Sequence, residues 1–130
     1  MILETSFILN LWAGEPKAVA KAQEIANRGN RVYLATPSLF ELWDGVARSD
    51  RPREETEKIR RFIEGHDLLP FGEDDAREAG LLLGRLSKSG RTMNTVDAML
   101  AGMAQARREV LLTADRGFRQ LVGEVPVEVL

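Results

Sequence analysis

The sequence has no cysteine, which excludes disulfides, thiolate nucleophiles and cysteine-ligated zinc and suits a chain that works in a reducing cytoplasm. Histidine is almost as scarce. His66 stands alone, so no zinc site or histidine triad can be built around it, and a partly exposed place at a strand edge is expected for it. Positive charge is not in excess either: 18 Lys and Arg face 20 Asp and Glu, for a net charge of −2. Nothing in the bulk electrostatics attracts nucleic acid, so any polyanion must be bound locally. No apolar run approaches the roughly 20 residues of a membrane span. Met1-Ile2-Leu3 leads straight to Glu4 with no basic leader, so no signal peptide is expected. Glycine-rich phosphate loops, internal repeats and Pro/Gly-rich linkers are also missing, which disfavours nucleotide-binding enzymes of the loop type.

What is present reads as one globular domain over 1–130. Hydrophobic residues make up 44% and charged residues 29%, and a domain of this size hides roughly two-thirds of the surface its unfolded chain exposes. Five short runs have strand character: Met1 to Leu3, Arg31 to Ala35, Asp67 to Phe71, Val110 to Leu112 and Val127 to Leu130. Several are continuously apolar, as a sheet covered on both faces requires.

Helical segments separate the strands. Phe7, Ile8, Leu11 and Trp12 form one stripe, and Ala18, Ala22, Ile25 and Ala26 a second. Thr36-Pro37 begins a third helix, with threonine as cap and an inward stripe of Leu39, Phe40, Trp43, Val46 and Ala47. Arg53 to Ile63 is a charged helix with Glu54–Lys58 and Glu57–Arg61 pairs four residues apart. Asp74 to Ser87 is another, and Thr95 to Arg107 is apolar on nearly every side, hence buried. This alternation predicts a three-layer α/β/α sandwich around a central, mainly parallel five-stranded sheet.

Four acids stand where an apolar run gives way to a turn or helix start: Glu4, Glu41, Asp97 and Asp115. In a parallel α/β sheet the carboxyl ends of the strands share one edge, so acids just beyond them converge although far apart in sequence. Oxygen-rich clusters of this kind hold Mg²⁺ or Mn²⁺. Each acid has an alternative use. Glu4 favours the positive end of a helix that Thr5 or Ser6 could cap; Glu41 falls opposite its stripe, beside Asp44 and Arg48; Asp97 follows Asn94 in a capping arrangement; Asp115 could cap a short helix carrying Phe118 and Leu121. The conjunction of the four carries more weight than any one of them. Arginines such as Arg48, Arg91 and Arg116 are candidates to grip phosphates at the rim, although solvated ion pairs are the ordinary fate of such residues.

With these motifs in order, the chain resembles the PIN-domain ribonucleases, specifically the VapC toxins of toxin–antitoxin pairs. Met-Ile-Leu-Glu-Thr-Ser-Phe-Ile-Leu resembles the opening strand with its acid-Thr-Ser signature, and Thr36-Pro37-Ser38-Leu39-Phe40-Glu41-Leu42 with Gly45 the second acidic motif. Val96-Asp97-Ala98-Met99-Leu100-Ala101 resembles the third, and Leu112-Thr113-Ala114-Asp115 with Phe118 the fourth.

The resemblance implies a Mg²⁺- or Mn²⁺-dependent endoribonuclease. Glu4, Asp97 and Asp115 would hold metal, Glu41 would position water or a second ion, and Ser6 and Thr113 would aim the carboxylates. It also implies tRNA or ribosomal RNA as substrate, a VapB-like antitoxin that blocks the pocket, and a homodimer. Glu4 stands where the family pattern has aspartate. The alternative reading is therefore a weakened or silent module that binds RNA or antitoxin, and Glu4→Asp is expected to raise activity. A receiver-like or phosphatase-like domain fits less well, because no lysine follows the last strand and the third ends in Pro70-Phe71 without an aspartate.

Overall fold

A computed structural model describes residues 1–130. The strands are β1 (Ile2–Leu3), β2 (Tyr33–Ala35), β3 (Asp67–Leu69), β4 (Leu111–Thr113) and β5 (Val127–Val129). The helices are α1 (Thr5–Trp12), α2 (Pro16–Asn27), α3 (Thr36–Ala47), α4 (Pro52–Glu64), α5 (Glu73–Lys88) and α6 (Thr95–Arg107), with a 3₁₀ helix at Arg116–Leu121. The strands pair in the order β3-β2-β1-β4-β5, and every pairing is parallel. The sheet is thus wholly parallel rather than mainly so.

Successive strand residues point to opposite faces, and here the two faces feed two cores. Ile2, Ala35 and Leu111 join Leu82, Leu86, Leu100, Met103 and Phe118 on one side. Leu3, Leu34 and Leu112 join Phe7, Ile8, Ile25, Ile59 and Phe62 on the other. Helices α1 to α4 therefore cover one face, α5, α6 and the 3₁₀ helix cover the other, and the α/β/α layering follows.

The chain runs from β1 outward to β2 and β3, then crosses back to β4 and β5. The strand order reverses between β1 and β4. In open parallel sheets the crevice beyond the carboxyl ends at such a reversal is where ligands bind.

On the second face α5 and α6 pack very closely. A Cβ built on Gly102 would lie 2.5 Å from the backbone nitrogen of Ala79 and 2.6 Å from its Cα, so glycine is what permits this approach. Their ends are tied by an ion pair between a buried carboxylate and the exposed Arg107. Asp75 is 2% exposed; it accepts from Gly72 N at 2.7 Å and from Arg107 Nε and Nη2 at 3.1 and 2.8 Å. Arg107 Nη2 also donates to Pro70 O at 2.8 Å. A buried carboxylate is tolerated when its oxygens are satisfied in this way.

Several local expectations need correction. Thr36 is not the cap of α3 but its first residue: Ala35 holds the cap position, and Thr36 Oγ1 accepts from Phe71 N at 3.1 Å. The fully buried residues of α3 are Pro37, Ser38 and Leu42; of the apolar stripe Leu39 and Val46 pack against the core, while Trp43, Ala47 and Phe40, the last 62% exposed, face outward. The cause is a polar anchor, since buried Ser38 Oγ donates to the carbonyl of Leu3 at 3.1 Å and sets the helix rotation. On α4, Glu57 pairs with Arg61 as expected, but Glu54 pairs with Arg51 rather than Lys58. His66 is half-buried at the entry to β3; its ring stacks on Phe62 with centroids 4.0 Å apart, and its Nδ1 lies 2.8 Å from Phe62 O.

Candidate metal centre

Each acid reaches the β1/β4 crevice by a different local device. Glu4 follows β1 directly and is itself the N-cap of α1, so neither Thr5 nor Ser6 caps that helix. Its Oε2 accepts from Ser6 N at 2.9 Å, from Thr113 Oγ1 at 2.7 Å, and from Ser6 Oγ. The two hydroxyls are fixed in turn, because Ser6 Oγ accepts from Ala114 N at 3.0 Å and Thr113 Oγ1 accepts from Asp115 N at 2.9 Å. One oxygen of a buried carboxylate is thus saturated by protein donors, and Oε1 has none.

Glu41 sits in the second turn of α3, half-buried, and its Oε1 accepts from Thr5 Oγ1 at 2.7 Å. Arg48, which the helical wheel places beside it, bonds Asp44 at 3.3 Å instead. Asp97 lies in the first turn of α6, where its backbone amide donates to the Asn94 cap at 2.8 Å. Asp115 follows β4 and caps the 3₁₀ helix, accepting from Gly117 N at 2.8 Å, with Phe118 and Leu121 buried behind it.

Glu4, Glu41 and Asp97 each offer a carboxylate oxygen, and the three lie within 4.8 Å of one another. Asp115 is exposed and outside that trio. The sequence reading gave metal contact to Asp115 and a supporting place to Glu41; the geometry sets Glu41 in the closest group and Asp115 at its edge. No Lys or Arg is paired with any of the four acids.

The electrostatic cost appears in the titration of the group. Burial pushes Asp97 up to about 7, reinforced by the charges of Glu4, Glu41 and Asp115 and opposed by the Asn94 amide. Glu41 is also raised, first by burial and then by Glu4, Asp115 and Asp44, against the stabilising bond from Thr5. Three hard oxygen donors, partly desolvated, mutually repelling and lacking a protein cation, form a set that fits a small divalent cation.

The arginines offered from sequence as phosphate grips do not converge on the trio. Arg48 is held by Asp44, and Arg91 makes a forked pair with Glu124 at 2.8 and 3.4 Å. Arg116 is exposed one residue beyond Asp115. Thr5 and Ser38 carry positions in the site that sequence reasoning did not assign them; the only available signal was a hydroxyl next to each acid motif. A cavity of about 490 Å³ between α1, α2 and the loops before β2 and β3 contains none of the four acids. It is separate from the carboxylate chemistry.

The hydroxyls beside Glu4 provide a direct check. Ser6→Ala removes one donor to Oε2 and the acceptor of Ala114 N, and outer partners of metal-binding carboxylates typically contribute ~10–100-fold in affinity. Mn²⁺ titration by calorimetry is expected to weaken about tenfold with the thermal midpoint in chelator little changed; equal affinity would show that Glu4 needs no such restraint.

The PIN domain family model matches residues 1–124. The tRNA(fMet)-specific endonuclease VapC of Shigella flexneri is 24% identical over 127 residues, covering 98% of this chain and 95% of that protein. VapC ribonuclease Y4jK of Sinorhizobium fredii is 28% identical over 122 residues, covering 88% and 86%. Among solved structures, VapBC2 from Rickettsia felis bound to a promoter DNA fragment superposes with a TM-score of 0.87 at 19% identity, over 99% of this chain and 97% of that one. DNA-bound VapBC from Salmonella typhimurium gives 0.84 at 22% identity, over 98% and 96%. At such identities the structural likeness establishes the fold.

Proposed function

Because the chain belongs to the PIN-domain family, we propose that it is a VapC-type endoribonuclease that hydrolyses RNA phosphodiester bonds with Mg²⁺ or Mn²⁺. The observation that carries this reading is the trio of Glu4, Glu41 and Asp97 within 4.8 Å of one another at the strand-order reversal. A divalent ion held there supplies an acidified water and neutralises charge developing on the phosphate.

The chain's own residues prepare that site. Ser6 and Thr113 fix Glu4, Thr5 fixes Glu41, and Asp97, its pKa raised to about 7 by burial and neighbouring acids, would hold the ion as a carboxylate. Asp115 adds negative charge at the rim, which further favours a cation. The alternative of a silent binding module rests on Glu4 in place of aspartate. Its extra methylene is matched here by a fixed three-donor seat for Oε2, and that favours the active reading.

The remaining assignments are by kinship. One relative is named for tRNA(fMet) cleavage, which supports tRNA, or ribosomal RNA, as the substrate class. The similar solved structures are toxin–antitoxin complexes, which supports a VapB-like antitoxin as partner. A homodimer and a cytoplasmic location complete the reading; no helix is long and apolar enough to cross a membrane.

Cleavage of labelled tRNA and ribosomal RNA by the purified chain tests it. Turnover is expected with Mg²⁺ or Mn²⁺, with loss in chelator and recovery on adding the ion back. Equal turnover in chelator would remove the metal from the mechanism, and no turnover with either ion would leave the silent module.

A further inference from the structure

A second cavity adjoins the acids on the α6 side. It measures about 410 Å³ and is lined by Thr92, Met93, Asn94, Asp97, Gly117 and Gln120, a volume within the ~300–1,000 Å³ typical of small-ligand pockets. Asp97 belongs both to this cavity and to the carboxylate trio, so a group seated here lies directly beside those carboxylates.

The walls are fixed rather than loose. Gln120 Nε2 donates to Thr92 O at 3.1 Å and to Gly117 O at 3.2 Å, and Arg91 Nη1 donates to Gln120 O at 3.3 Å while pairing with Glu124. These bonds join the α5–α6 connection to the 3₁₀ helix across the cavity. They also settle the orientation of the Gln120 amide: both of its N–H groups are used on carbonyls, so Oε1 remains as an acceptor of known placement.

The lining suits one kind of ligand. Amide and hydroxyl groups read the donor and acceptor edge of a base, and Met93 offers a thioether for contact with an aromatic face. There is no aromatic platform and no basic side chain in the lining, so neither sequence-blind stacking nor phosphate capture is served. Single-stranded RNA is read in this manner, through unstacked bases hydrogen-bonded on their edges.

We propose, resting on the nuclease reading above, that this cavity receives one unpaired nucleobase adjoining the scissile phosphate and that Gln120 and Thr92 select which base. Base selection would then be a property of the α6 and 3₁₀ walls, separate from the carboxylates that support cleavage.

The test is binding of short single-stranded RNAs that differ at one nucleotide, measured by fluorescence anisotropy with Ca²⁺ in place of Mg²⁺. The wild-type chain is expected to favour one base about tenfold over the weakest, and Gln120→Leu or Thr92→Val to bring that ratio below about twofold. In ¹⁵N-labelled protein the Gln120 side-chain amide signals should move with the favoured RNA. Equal affinity for all four bases, no RNA binding, or a preference unchanged in both variants would overturn the proposal. Cleavage with Mg²⁺ or Mn²⁺ but no base preference sinks the pocket and leaves the nuclease. Base preference without cleavage sinks the nuclease and leaves the pocket.

Discussion

Asp97→Asn is expected to lower RNA cleavage by a hundredfold or more, on the order of what removal of one charged group from a metal site costs, while making the metal-free protein more stable at pH 8. The two effects have one cause. Asp97 has its pKa raised from 3.8 to about 7 by burial and by neighbouring acids. A carboxyl whose folded pKa is raised stabilises the fold fully below its unfolded value, and that contribution is lost as pH climbs through the folded value. The window is therefore about pH 4 to 8, with the metal-free wild type weaker at the upper end. Because Asp97 is only half-buried, solvent screening reduces the full worth of the shift, and about 1–2 kcal/mol is expected. Thermal melts in chelator should show Asp97→Asn several degrees higher at pH 8, with the gap narrowing steadily as the pH is lowered toward 4. Adding Mn²⁺ should raise the wild type selectively, since a ligand that binds only the folded state stabilises it by mass action. A variant that is less stable at pH 8 in chelator would mean that Asp97 is already neutralised by the fold.

The second large effect is on stability. Gly102→Ala places a methyl group 2.5 to 2.6 Å from the backbone and Cβ of Ala79. A flexible side chain could swing aside, but a helix backbone held by its own hydrogen bonds cannot, so α5 and α6 must separate along their length. Overpacking commonly costs ~1–3 kcal/mol, and contact with backbone belongs at the upper end. The gain in helix propensity from glycine to alanine, ~1 kcal/mol, offsets only part of that. A fall in thermal midpoint of roughly 5–10 °C is expected. If Gly102→Ala melts at or above the wild-type temperature, the close helix approach described here is wrong. Gly80→Ala provides the contrast, because it lies in α5 with nothing within 4 Å of its would-be Cβ and should be neutral or slightly stabilising.

Much of the architecture could be read from residue order. Continuous apolar runs separated by helical periodicity implied a covered parallel sheet, and the acids beyond their ends implied a shared edge. What failed were inferences that treated polar residues as passive. The fourth strand was expected over Val110 to Leu112, yet β4 runs through Thr113, a polar residue that is buried because its hydroxyl serves Glu4. Hydropathy rotates helix α3 to bury its aromatics, but Ser38 is buried and bonds β1, an orientation that puts Glu41 with the acids and leaves Phe40 outside. Hydropathy cannot register a single buried hydroxyl. The alternative use of Asp115 was legible because capping is local, whereas the grouping of Glu41 with Glu4 and Asp97 depends on a helix orientation set by a partner 35 residues away.

The arrangement of strands has a consequence for the newly made chain. β1, which precedes the other four strands in sequence, ends up flanked by β2 and by β4, and one of the two hydroxyls that seat Glu4 belongs to a residue 109 positions later. A fragment that ends before β4 lacks Thr113 and with it one of the hydroxyls that hold Glu4. On the nuclease reading proposed above, a chain halted short of β4 would therefore be expected to leave RNA intact.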